Sequence, residues 1–408
     1  MRCITAGVRT GRAEDSAADT GSKRTPPNAK TLVKQLRERT SVSMGLCKRA
    51  LEESNWDEEE AVVYLRKSGI ARAAKAASRE AREGVIAVCS SADGTQYSAV
   101  VLNCETDFVQ KNPKFVAFAG ALAEHCCSTL RSTATTTSEA SQSDLVTHVK
   151  NSIPSKRLSM CVQMDSTTAS ASSVSELLAD LTTQFGEKVE VSAVECIESG
   201  ASSCVGVYVH NEVTPGSGVG SAAALVELRW AQPDTSATHA TALRERLSKF
   251  ARLMAMQVLA TRPKFVDLDS MPSSVIEEER SIAEEATAAA AAAAAAGTKS
   301  ATGPKDPSPP GTKETAFSKI AAQRMQRWLE EQCLLFQEFL MMKQLQTDVI
   351  PHAQPEAATN SGGNSSNGEK SSQPQRPITV AGALQLVEQS LGCRLTVSRM
   401  RLITVGSQ

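Results

Sequence analysis

The sequence predicts an α+β protein that begins with a small helical bundle, and three observations predict it. Apolar residues recur at helical spacing over 31–69, form short strand-like runs, alternating at Val189, Val191 and Ala193, in segments between 84 and 228, and return to helical spacing beyond 240. At 408 residues the chain has room for several domains. Its hydrophobic share of 41% and aromatic share of 4% are low, so polar stretches must dilute the folded parts.

Residues 1–30 carry Arg2, Arg9, Arg12, Lys23, Arg24 and Lys30 among Ser, Thr and Ala, with Glu14, Asp15 and Asp19 as the only acids. They read as a transit peptide or a disordered tail. Over 31–69, Leu32, Val33 and Leu36, then Cys47, Ala50 and Leu51, then Ala61, Val62 and Leu65 give three short amphipathic helices. Asp57 with Glu60 marks the start of the third, and Gly69 marks its stop. Residues 70–83, Ala-rich with Arg72, Lys75, Arg79 and Arg82, form a helical connector kept solvated by its charges.

An α+β core follows over 84–271. Val85–Cys89 and Tyr97–Leu102 make a hairpin around Ala92, Asp93 and Gly94, and Phe115, Phe118, Ala119 and Leu122 then fall on one helix face. The Ser/Thr-rich residues 128–173 lack apolar content and read as a flexible insertion, with helix only around Leu145–Val149. Val174–Phe185 is helical, and strands follow at Val189–Ala193, 204–209 and 219–228. A last core helix, lined by Leu243, Leu247, Phe250, Met254 and Val258, ends before Pro263. Within 272–347 the helical stretches 273–285 and 314–345 flank low-complexity residues 286–313, which predicts a helical hairpin or coiled coil, within one chain or between two. Residues 348–377 have linker composition, and 378–408 form a short C-terminal helix-plus-strand module.

Several function classes are excluded or left unsupported. Lys and Arg total 44 against 45 for Asp and Glu, a formal charge of −1, without the basic excess that nucleic-acid binding relies on. The longest low-polarity stretch, Ala288–Ala296, is half of the ~18 apolar residues a membrane span needs. Eleven cysteines lie scattered from Cys3 to Cys393 with no CxxC pair, so neither a zinc site nor a disulfide framework is specified and a reducing compartment fits. The five histidines stand apart, and no phosphate-binding, zinc-protease or serine-hydrolase motif occurs. The expectation is a non-enzyme with no catalytic residue set, no cofactor and no metal.

The unusual segment is Asn103-Cys104-Glu105-Thr106-Asp107-Phe108-Val109, which sets a carboxylate beside a large aromatic just after a strand. Taken alone, Phe108 reads as a core anchor and Asp107 as a helix cap. Together with Leu36-Arg37-Glu38-Arg39-Thr40, Met44 and Cys47-Lys48-Arg49-Ala50-Leu51, however, it resembles the elongation factor Ts family in order and spacing. Further similarity lies in Tyr208-Val209-His210, in Ala255–Val258 through Phe265, and in Ile378–Val405. The chain departs from the family pattern at Ser41 and Gly45, where a glycine and a second methionine are usual.

The resemblance implies a ubiquitin-associated-like domain over 31–69 and guanine-nucleotide exchange on elongation factor Tu, the GTPase that delivers aminoacyl-tRNA. In the family the Asp-Phe pair, here Asp107 and Phe108, enters beside the partner's nucleotide site, disturbs its magnesium- and phosphate-binding elements, and releases GDP. Asn103, Cys104, Glu105, Thr106 and Val109 would support that pair, while Met44, Cys47, Lys48 and His210 would meet the partner. With the basic leader, the resemblance points to the mitochondrion. A ubiquitin- or nascent-chain-binding adaptor using 31–69 is the alternative reading.

Overall fold

A computed structural model describes residues 25–130, 141–162, 173–231, 237–297, 311–351 and 377–406. The mixed α+β class holds. Three helices come first: α1 (Ala29–Thr40), α2 (Met44–Glu53) and α3 (Glu58–Ala76). They enclose their own core of Val33, Leu36, Val42, Cys47, Ala50, Leu51, Ala61, Val62 and Leu65. Asp57 caps α3, its carboxylate accepting the Glu60 N–H at 2.8 Å. Gly69 does not stop that helix, which continues to Ala76. The reason is packing: a Cβ at residue 69 would lie 2.6 Å from Thr183 Oγ1, so the missing side chain lets α8 (Val174–Phe185) approach α3.

Two antiparallel sheets form the centre. The first, in the order β3-β2-β1-β5, contains β1 (Glu83–Ser90), β2 (Gln96–Cys104), β3 (Glu190–Glu198) and the two-residue β5 (Val219–Gly220). The second, in the order β4-β6-β7, contains β4 (Ser203–His210), β6 (Ala222–Ala231) and β7 (Arg394–Thr404). The strand period of two sends alternate residues to different cores. Ile86, Ala99, Val101 and Ile197 of the first sheet meet Val205, Ala223, Leu225 and Ile403 of the second.

On the outer face of the first sheet, Val85, Val100, Leu102 and Val194 pack against Phe115, Phe118 and Leu122 of α5 (Pro113–Thr129) and against α8. Each of those three large side chains, fully buried, contributes about 1.5–3 kcal/mol of transfer free energy. On the outer face of the second sheet, Val226 and Leu228 pack against Leu247, Phe250 and Met254 of α9 (Ala237–Thr261) and against Val380, Ala383 and Val387 of α13 (Val380–Leu391).

The structure departs from the sequence reading in several places. Inside the stretch expected to be flexible, α6 (Gln142–Asn151) and α7 (Lys156–Val162) bury Val149, Leu158 and Val162 in the core, because a few well-spaced apolar residues suffice when a sheet and two helices already offer a surface. The apolar run 219–228 is two strands, which change sheets at Ser221. Helix α10 (Ser273–Gly297) runs through the alanines and packs on α11 (Gly311–Gln332). The helix expected over 314–345 breaks after Gln332, where buried Cys333 and Leu334 enter a 3-10 turn at Leu334–Phe336, and resumes as α12 (Met342–Asp348). The C-terminal segment is not separate: β7 pairs with β6 from Arg394 opposite Ala231 to Thr404 opposite Ala222. The leader at 1–24 and most of the linker, 352–376, lie outside the described residues.

Candidate functional site

The site is built where β2 ends. Strand β2 is central in its sheet, paired with β1 on one side and β3 on the other, and this fixes the backbone up to Cys104. The register between β2 and β3 slips by one residue at Val101/Leu102, leaving Ser192 as the extra residue of a bulge. Its hydroxyl donates to Asn103 Oδ1 at 2.5 Å, while Asn103 Nδ2 donates to the Glu83 carbonyl at 3.2 Å. Asn103 therefore ties all three strands together. Cys104 is buried beside it, its thiol donating to the Thr106 carbonyl, and burial, with the carboxylates of Glu187 and Glu83 nearby, pushes that thiol up to about 12. It is a structural cysteine, not a nucleophile.

The chain then turns into α4 (Asp107–Gln110), a single helical turn. Val109 points inward and is 7% exposed, whereas Phe108 is 83% exposed. The core-anchor reading of Phe108 therefore fails: Val109 is the anchor, and the helical offset between neighbours throws the ring outward. Gln110 Nε2 donates to the Gly84 carbonyl at 2.6 Å and fastens the turn to β1. Asp107 stays at the surface, 2.8 Å from Lys111 Nζ, and the lysine's hydrogen bond and charge hold its carboxyl below the usual carboxylate range. An ionised carboxylate and a bare aromatic face thus stand side by side.

Three groups that the sequence reading did not place at this corner hold it. Glu187, in the loop after α8, accepts the Thr106 N–H at 3.1 Å and the Thr106 hydroxyl at 2.8 Å. The Lys188 N–H donates to Glu105 Oε1, and Arg79, just beyond α3, pairs with the same carboxylate at 3.0 Å. Arg79 is not merely a solvated charge. The only sequence signal for Glu187 and Lys188 was two charges set between a helix-ending glycine and the next strand.

The other expected contact residues divide. Met44 opens α2 and is 48% exposed, and Lys48 is exposed one turn on, 3.6 Å from Glu52. Cys47 does not fit a contact role: it is fully buried, with its thiol directed at the Val42 carbonyl. Cys47 shares with Ala50 and Leu51 the face of α2 that packs into the bundle core. His210 is exposed at the end of β4, its ring 6.2 Å from that of Tyr208, and its carbonyl accepts the Ser221 N–H where the chain changes sheets. Among the described residues there is no cluster of His, Cys, Asp or Glu able to hold a metal ion, and no helix long and apolar enough to cross a membrane.

Comparison with known proteins gives this geometry a setting. The family model described as Elongation factor TS matches residues 105–354, so it begins at Glu105 and takes in Thr106, Asp107, Phe108 and Val109. The chain is similar to the elongation factor Ts of Prosthecochloris aestuarii, 32% identical over 76% of this chain and 85% of the relative. It is also similar to that of Anaplasma marginale, 31% identical over 76% and 87%, and to that of Chloroherpeton thalassium, 32% over 76% and 85%. With a matched region that takes in strands β3 to β6 and includes the exposed Asp107-Phe108 corner, this chain belongs to the elongation factor Ts family.

Proposed function

We propose that this protein is a guanine-nucleotide exchange factor for elongation factor Tu and releases GDP by inserting Phe108, with Asp107 beside it, next to the partner's magnesium and nucleotide site. The observation that carries the proposal is a phenylalanine 83% exposed on a one-turn helix whose base is fixed on every side. Such a ring gains nothing in the free protein and gains burial only against a partner. The carboxylate beside it adds negative charge where phosphate oxygens must be held, and magnesium, which demands near-ideal octahedral oxygen geometry, tolerates little displacement of its supports. By linkage, a factor that prefers the nucleotide-free partner is itself bound less tightly once nucleotide returns. No bond is made or broken, so the chain acts as an exchange factor and not as an enzyme.

In the same reading, Met44, Lys48 and His210 meet the partner, and helices α1–α3 form the ubiquitin-associated-like domain that docks on it. Helices α10 and α11 serve as a coiled-coil hairpin, and residues 1–30 direct the protein to the mitochondrion. The adaptor alternative rests on the bundle alone, which lies outside the region matched by the family model. The test is release of labelled GDP from the organellar elongation factor Tu with and without this protein. The expected result is acceleration that saturates with the factor, and the absence of acceleration defeats the proposal.

A further inference from the structure

A single-turn helix cannot hold its own shape. Nucleating one turn fixes several dihedrals for one hydrogen bond, so the four residues of α4 depend on what surrounds them. Thr106 stands at the N-cap position, yet its side chain makes no cap bond to the helix. The hydroxyl is turned the other way, toward a carboxylate 81 positions later in the chain. We propose that Glu187 is the positioning residue of the Asp107-Phe108 corner, fixing the direction of the Phe108 ring through its two hydrogen bonds to Thr106. This inference rests on the exchange function proposed above and adds to it a residue that sets how the ring is presented.

The geometry supports this from both sides of the contact. Glu187 takes the backbone N–H and the side-chain O–H of one residue with its two oxygens, at 3.1 and 2.8 Å, which fixes the peptide plane ahead of Asp107 as well as the Thr106 rotamer. Glu187 is itself held. Helix α8 ends on Gly186 in the left-handed region, φ 75°, which turns the chain sharply, and Val189 two residues later is anchored in the core. The next residue repeats the grip, since the Lys188 N–H donates to Glu105 and the Lys188 ammonium donates to the Arg79 carbonyl at 2.9 Å. Residues 187 and 188 therefore clamp residues 105 and 106. A ring carried on a fixed backbone has only its own side-chain torsions left to order at the moment of contact, whereas a ring on a frayed turn must have its backbone ordered as well.

The test uses the full-length protein with Glu187→Ala, and with Glu187→Gln, which keeps the shape and one acceptor. Melting curves establish that each variant is folded. If Glu187→Ala does not fold, Thr106→Val takes its place, because it removes only the hydroxyl half of the contact. The saturating rate of GDP release is expected to fall by about two- to tenfold in Glu187→Ala, the span associated with ordering one more side chain on contact and less than the loss from removing the ring itself, and by less again in Glu187→Gln. Combining Glu187→Ala with Phe108→Ala should add little to the loss from Phe108→Ala alone, since both act through one ring. In the free protein, hydrogen exchange at the Thr106 amide should accelerate while Val100 and Leu102 stay protected. Additive losses, or an unchanged Thr106 amide, overturn the positioning role. A wild-type protein that accelerates no GDP release overturns the exchange function instead, and the Thr106 amide still reports on the clamp.

Discussion

Replacing Phe108 with alanine separates a ring meant for a partner from a ring meant for the core. In the free protein 83% of the residue faces water, so truncation removes little internal packing and should change folding stability by no more than about 0.5 kcal/mol. In the complex the same exposed fraction becomes available for burial. Full burial of a phenylalanine is worth about 1.5–3 kcal/mol, and scaling by 0.83 leaves ~1.2–2.5 kcal/mol, or about eight- to sixtyfold at 1.4 kcal/mol per tenfold. The loss should appear in the stability of the nucleotide-free complex and in the rate of GDP release. Asp107→Asn, which removes charge and keeps shape, should cost less, and its effect should shrink as magnesium is withdrawn. The assay pairs thermal unfolding of the isolated variant with release of labelled GDP. An Phe108→Ala protein that is folded and exchanges normally refutes the wedge, and one that melts well below the wild type refutes the assignment of the ring to the surface.

Three further outcomes follow from particular contacts. Gly206→Ala should destabilise the protein by about 3 kcal/mol or more, because a Cβ there would sit 2.0 Å from the Ala251 carbonyl carbon, a backbone atom in α9 that has nowhere to go; denaturant unfolding measures it. Ser41→Gly should raise stability by about 0.5–1 kcal/mol, since Ser41 caps α1 in the left-handed region at φ 57°, a conformation that costs a residue with a Cβ; thermal melting of the isolated protein detects it. Burial, offset in part by Arg66, pushes Asp180 on α8 up to about 6 from 3.8. The folded state therefore keeps a proton that the unfolded chain gives up, and stability falls as pH rises through that window. Asp180→Asn should melt above the wild type at about pH 8 and match it below about pH 4.

The sequence made legible what periodicity can encode. Strands β1, β2 and β6 were visible as short apolar runs, because each is buried on both faces, and Asp57 with Glu60 announced α3. Ring exposure was not legible: Phe108 and Val109 are adjacent and both apolar, and only the path of α4 decides which one turns inward. Pairings far apart in sequence were equally hidden. Nothing near residue 106 points to Glu187, and nothing near Gly69 points to Thr183. Composition misled where a few apolar residues carried a polar stretch, as Leu158 and Val162 do for α7. The sheet change at Ser221 escaped because 219–228 is mostly apolar, and a single serine in such a run does not mark a passage from one sheet to another.

The uninterrupted α3 changes what the first three helices are mechanically. Nineteen residues of helix form a strut about 28 Å long, braced along its side by α8 and tied at its far end, through Arg79, to the carboxylate of Glu105. A bundle on a floppy tether would search for its landing place independently of Phe108. A bundle on a braced strut arrives at a set bearing, so that in the proposed docking, seating Met44 would also aim the ring, and the entropy of aligning two footholds would be settled when the chain folds, before any partner is met.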